Sequence, residues 1–117
     1  MRVLAFAFLV GHGLVHGVMW ALPYSEQALA DLPMDPGHSW VFGDARAVGL
    51  GLALATTLVF VVAAFAMLAG APWWPPFAIA SAGLSMALLT LFFSPWWLVG
   101  FAIDIAVIAV AARSLSG

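Results

Sequence analysis

Residues 47–103 read AVGLGLALATTLVFVVAAFAMLAGAPWWPPFAIASAGLSMALLTLFFSPWWLVGFAI and contain no Lys, Arg, Asp, Glu or His. At about 20 residues per transmembrane helix, this stretch is long enough for nearly three spans. Two interruptions divide it: Gly70-Ala71-Pro72-Trp73-Trp74-Pro75-Pro76 and Ser94-Pro95-Trp96-Trp97. Proline ends helices, and tryptophan favours the membrane–water boundary. The division predicts helices over about 46–69, 77–93 and 96–113. Upstream, residues 3–21 (VLAFAFLVGHGLVHGVMWA) carry no formal charge and make a further span that stops before Pro23. Between them, residues 22–45 hold Glu26, Asp31, Asp35 and Asp44 together with Pro33, Pro36 and Gly37. That composition marks a turn-rich loop outside the hydrocarbon.

The bulk numbers agree with this map. Of 117 residues, 66% are hydrophobic and 7% charged, against about 45–50% and 25% in ordinary globular domains. Three Lys+Arg and five Asp+Glu cannot cover the surface of a water-soluble globule, and three cations cannot make a phosphate-binding stripe. Nucleic acid is therefore excluded as a partner. The absence of cysteine removes disulfides, thiolate metal sites and thiol catalysis. The expected fold is all-α: one integral membrane domain over 1–117, an antiparallel four-helix bundle with short connections between neighbours. Ala28-Leu29-Ala30 resembles a signal-peptidase site, but the apolar stretch before it is longer than a signal peptide's. It reads as a retained first helix. All six tryptophans fall at expected helix ends or in loops. Four spans put both termini on one side, with Arg2 and Arg113 there and Arg46 opposite. The excess of positive charge makes the terminal side cytoplasmic, as in a bacterial inner membrane.

Ionisable groups within spans are functional candidates because the bilayer penalises them. There are three, His12, His16 and Asp104. The expected midpoints of the four helices fall near His12, Thr57, Ser85 and Asp104. These four residues therefore share one layer of the bilayer, and His16 lies about 6 Å further out on the face of His12. Asp104 needs a partner at this depth, and His12 is nearest. The pair fixes the first helix against the fourth, or lines a cavity. Two imidazoles at i, i+4 with a carboxylate also have metal-ligand spacing, which makes His12, His16 and Asp104 a potential metal set. HExxH chemistry is absent because position 13 is glycine. A tetrapyrrole beside one histidine and Gly11, Gly13 and Gly17 is a further possibility. No cofactor is required by the pattern. Gly83-Leu84-Ser85-Met86-Ala87 faintly matches a serine-nucleophile motif with His12 at a compatible depth. Gly13 and Gly17 form GxxxG, which lets helix backbones approach closely, within the bundle or across a dimer.

In the loop, Pro36-Gly37-His38-Ser39-Trp40-Val41-Phe42-Gly43 is the most distinctive segment. Trp40 would lie at the outer interface, Asp44 would cap the second helix, and Arg46 would pair with Asp44 or a lipid phosphate. His38 reads as a solvated loop residue.

The His12-Gly13-Leu14-Val15-His16 stretch and Ser39-Trp40-Val41-Phe42-Gly43 give the chain a resemblance to a loose group of small four-helix bacterial membrane proteins. The layout is also similar to DoxX-like proteins and to the quinone-linked disulfide oxidases. Without cysteine, the redox chemistry of the oxidases does not carry over. The resemblance implies a four-helix layout and no particular activity. The expected function is non-enzymatic: binding of a lipophilic ligand, or service as an accessory subunit of a larger membrane complex. Membrane lipids, further copies of the chain or other membrane subunits are the expected partners. The alternatives are an oligomeric proton-coupled or small-substrate transporter, and a metal-dependent intramembrane enzyme using His12, His16 and Asp104.

Overall fold

The computed structural model describes residues 2–21, 37–94 and 97–116. Glu26, Asp31, Asp35 and the Ala28-Leu29-Ala30 triplet lie outside the described residues, as do Pro95 and Trp96. Four helices make the bundle: α1 (Arg2–Ala21), α2 (Arg46–Leu68), α3 (Trp74–Leu91) and α4 (Leu98–Ser116). Each is long and apolar enough to cross a membrane, and the long axis of the protein measures 48 Å. Hydrocarbon plus headgroups span about 40–45 Å. The fold is an all-α antiparallel membrane bundle.

The bounds differ from the sequence expectation at α3 and α4. Helix α3 begins at Trp74, with Pro75 and Pro76 inside its first turn. Proline lacks an N–H, but the first turn of a helix has no intrahelical acceptor for one, so these prolines start the helix rather than precede it. It ends at Leu91, and Phe92 forms the C-cap. Helix α4 continues past Arg113 to Ser116.

The helices pack in chain order, α1 on α2, α2 on α3 and α3 on α4. Small residues set the first contact. A Cβ on Gly13 would stand 2.7 Å from Phe60 Cβ, and one on Gly17 would stand 2.7 Å from Thr57 Oγ1. The GxxxG pair thus serves packing inside the chain. Near the terminal end, Ala63, Ala78 and Ala111 bring α2, α3 and α4 together. The three methyl groups let the backbones approach closely at that point, with Trp74, Ile79 and Val107 packed around them. Large apolar side chains such as Leu4, Leu54, Leu58, Phe65 and Val99 point outward. In water such a surface would aggregate, whereas lipid accepts it.

Trp20 departs from its expected place at the lipid interface. It is fully buried, and with Phe92 and Trp97 it plugs the loop end of the bundle. Room for its ring comes from Gly49, where an added Cβ would meet Trp20 at 2.8 Å and Phe92 at 2.7 Å. On α1 the buried residues are Leu9, Gly13, His16, Gly17 and Trp20, a helical stripe that carries Trp20 inward with the rest.

The loop before α2 forms a short antiparallel hairpin, β1 (His38–Ser39) with β2 (Gly43–Asp44). Gly43 has φ +71°, a conformation that glycine adopts without steric cost. Asp44 does not cap α2. Ala45 is at the cap position without a side-chain bond, and the Asp44 carboxylate stands 3.5 Å from His38 Nδ1. Pairing with His38 in the hairpin places Asp44 one residue too early to cap.

The glycine contacts give a test of the packing. Gly13→Ala is expected to lower stability in detergent by about 1–3 kcal/mol, as overpacking does. Gly11→Ala, with nothing within 4 Å of the new Cβ, should not lower it, and the helix preference of alanine over glycine is expected to raise it by up to about 1 kcal/mol. Thermal melts followed by circular dichroism distinguish the two.

Candidate functional site

Three helices deliver four polar side chains to one place in the middle of the bundle. His12 and His16 come from successive turns of α1, their rings 4.8 Å apart between centroids. Ser85 comes from the centre of α3, and Asp104 from α4. Asp104 is fully buried. Its Oδ1 accepts from His12 Nε2 at 3.0 Å, and its Oδ2 accepts from Ser85 Oγ at 2.5 Å. His16 Nε2 lies 2.7 Å from Ser85 Oγ. A serine hydroxyl has a single proton. Ser85 directs it to Asp104 and therefore accepts from His16, which places the His16 proton on Nε2. The result is a continuous chain, His12–Asp104–Ser85–His16, that ties α1 to both α3 and α4.

Phe60 closes one side of this cluster. It is fully buried, and its ring stands perpendicular to His12 at 5.1 Å. On the other side Phe8 stacks parallel to His12 at 6.2 Å, with planes 4° apart. Burial of this kind is tolerated in hydrocarbon when polar groups satisfy one another, since an unpaired carboxylate there is costly.

The structure therefore brings together His12, His16, Ser85 and Asp104. Thr57 lies at the same depth but joins a different interaction. Its Oγ1 is 2.6 Å from Gly13 O and 3.0 Å from Ala53 O, so it pins the α1 backbone to α2. Ser85 contacts His16, whereas the sequence pattern pairs it with His12. The arrangement also differs from a nucleophilic triad, in which the acid holds the far nitrogen of the histidine. Here the acid holds the serine. Of the small residues considered for a tetrapyrrole, Gly13 and Gly17 are covered by Phe60 and Thr57, and Gly11 alone is open.

The loop residues His38, Trp40, Asp44 and Arg46 stand at the end of the bundle, away from this cluster. All four are exposed. Trp40 nevertheless makes a specific bond, donating from Nε1 to Thr90 O at 2.5 Å. Beside it the buried Ser39 donates to Leu91 O at 2.6 Å and accepts from the amides of Val41 and Phe42. Trp97 Nε1 donates to Phe92 O at 2.8 Å. The last carbonyls of a helix have no intrahelical donors, and these side chains supply donors for the end of α3. Sequence pattern alone assigns no role to Ser39. Its place ahead of a tryptophan in a turn is the one signal available there.

A second feature adjoins the cluster. Helices α1 and α4 stand at the two ends of the packed row, and a groove of about 440 Å³ runs between them. Ala5, Phe8 and Leu9 form one wall, Val99, Ala102, Ile103, Ala106, Val107 and Val110 the other, and Met67 and Trp74 complete the lining. The sequence offers no direct sign of it, because these residues look like ordinary lipid-facing positions.

A double-mutant cycle tests the bridge between the outer helices. For His12→Ala and Asp104→Ala the expected coupling is about 1–2 kcal/mol, above the average of about 0.6 kcal/mol for hydrogen bonds between membrane helices. Unfolding measurements on the two single variants and the double variant provide the value. No protein-family model matches the chain, and neither a curated protein nor a solved structure does.

Proposed function

We propose that the protein is a non-enzymatic, membrane-embedded binding protein that takes an elongated, uncharged lipophilic molecule into the groove between α1 and α4. The carrying observation is the groove itself, apolar along its walls and next to the one polar cluster of the described spans. Its volume falls in the range of small-molecule pockets, about 300–1,000 Å³. A molecule dissolved in the bilayer reaches it sideways without crossing a headgroup layer. Phe8 both lines the groove and stacks on His12. A bound molecule thus has its body against apolar side chains and one end beside the ring that covers His12. At this depth a charged headgroup is disfavoured, so any polar group on the ligand is small and neutral.

The same features weigh against a private transport pathway. Apart from the Trp74 ring, every groove side chain is apolar, and Trp20, Phe92 and Trp97 fill the loop end. No polar route leads from the cluster through these residues. In this reading the protein lies in a bacterial inner membrane with both termini cytoplasmic, where Arg2 and Arg113 outnumber Arg46. Lipids are its immediate partners, and it acts either as an oligomer or as a subunit beside other membrane proteins.

Native mass spectrometry from nanodiscs tests the reading. The wild type is expected to release with a stoichiometric lipophilic adduct. Ala106→Trp, which fills the groove from α4, should lose that adduct and keep its melting temperature. A wild type without adduct, in a dimer that Ala106→Trp dissociates, would identify the groove as a contact between copies and overturn the proposal.

A further inference from the structure

The geometry points to a transition-metal site at the centre of the bundle, with His12 Nε2, His16 Nε2 and Asp104 as ligands for a divalent ion of the zinc class. The inference stands on the polar cluster and does not require the groove to bind anything. One potential ligand atom from each of these residues lies within 4.8 Å of the others. Zinc–nitrogen and zinc–oxygen bonds of about 2.0–2.1 Å put tetrahedral ligand atoms about 3.3 Å apart. The needed contraction is therefore about 1.5 Å at most, within reach of side-chain rotation. Both histidines already present the same nitrogen, Nε2, to the Asp104–Ser85 pair. On metal binding the proton of each neutral ring moves to Nδ1, which frees the Nε2 lone pair for the ion.

The donor set selects the ion. Two imidazoles and one carboxylate suit zinc and its neighbours, while calcium and magnesium require mainly oxygen ligands. Three protein ligands leave a fourth position open. Charge points the same way. With neutral imidazoles the cluster carries −1, and a divalent ion raises it to +1. A hydroxide at the fourth position, the form that zinc-bound water takes near neutral pH, brings the centre to zero. Hydrocarbon favours that neutral total. Ser85 contributes by holding Asp104 Oδ2 at 2.5 Å. This orients the carboxylate and leaves Oδ1, now facing His12, for the ion. Entry is from the side of His12, whose side chain remains 9% exposed.

The test loads the full-length protein in detergent with zinc or cobalt(II), removes excess metal by gel filtration, and measures metal per chain. The expected result is one ion per chain, with cobalt(II) giving the visible absorption of a tetrahedral N/O site. His16→Asn and Asp104→Asn should each abolish the spectrum. Ser85→Ala should weaken binding about 10–100-fold, as loss of a ligand-orienting partner does. Cobalt uptake by the unmutated protein keeps the result decisive if a variant fails to fold. Folded wild type that takes up less than about 0.1 ion per chain would overturn the inference. So would uptake that survives His16→Asn and disappears in His38→Ala, since that would locate the ion at the exposed His38–Asp44 pair. Ala106→Trp is expected to retain the metal, which separates this outcome from that of the groove.

Discussion

The structure depends on the satisfaction of one carboxylate. Asp104 is wholly removed from the surface, at a depth where water cannot hydrate it. Its two oxygens must therefore be met by protein, and they are met by two different helices, His12 from α1 and Ser85 from α3. Those two bonds fix the heights and rotations of three helices relative to one another. A shift of α4 by one residue would turn Asp104 by about 100° about the helix axis and leave it unpaired in hydrocarbon. The polar constraint thus fixes the register of α4 against α1 and α3, while close packing at Gly13 and Gly17 fixes that of α1 against α2.

Packing then decides how close the helices come. Helices α1 and α2 meet through Gly13 and Gly17 against Phe60 and Thr57, and α2, α3 and α4 meet through alanines. Helices α1 and α4 are different. They are joined by the His12–Asp104 side chains while a groove remains between them. Closing the row by a long side-chain bridge, rather than by small-residue contact, is what creates that space. At the loop end the need is again polar. Ser39, Trp40 and Trp97 supply donors to carbonyls at the end of α3. That anchors the hairpin and closes the bundle over Trp20.

Groove and cluster share one residue, Phe8, which faces the first and stacks on the second. The apolar space is thereby continuous with the polar centre but screened from it by a ring. Under the binding function proposed above, affinity would come from the walls, and discrimination from the groups that fit beside Phe8 and His12. The same screening keeps the imidazole and carboxylate in a low-dielectric setting, where their mutual interactions are strongest.

The sequence by itself determined that this is a four-helix membrane bundle. Charge is nearly absent from three spans, and every backbone group in hydrocarbon must be paired within a helix. It also placed His12, Ser85 and Asp104 at one depth, because depth follows from counting residues along a helix of fixed rise. Rotation about each helix axis does not follow from counting. Whether Ser85 would meet His12 or His16, whether Thr57 would join the cluster, and whether Trp20 would face lipid or core were settled only by the packing of neighbouring helices. Pro75 and Pro76 show a related limit. A proline is compatible both with the first turn of a helix and with the segment that precedes one, and the residue type alone does not choose between them. The groove arises between helices that are distant in the chain and only loosely opposed. No local pattern encodes such a gap, because it is defined by the distance between two surfaces and not by either surface alone.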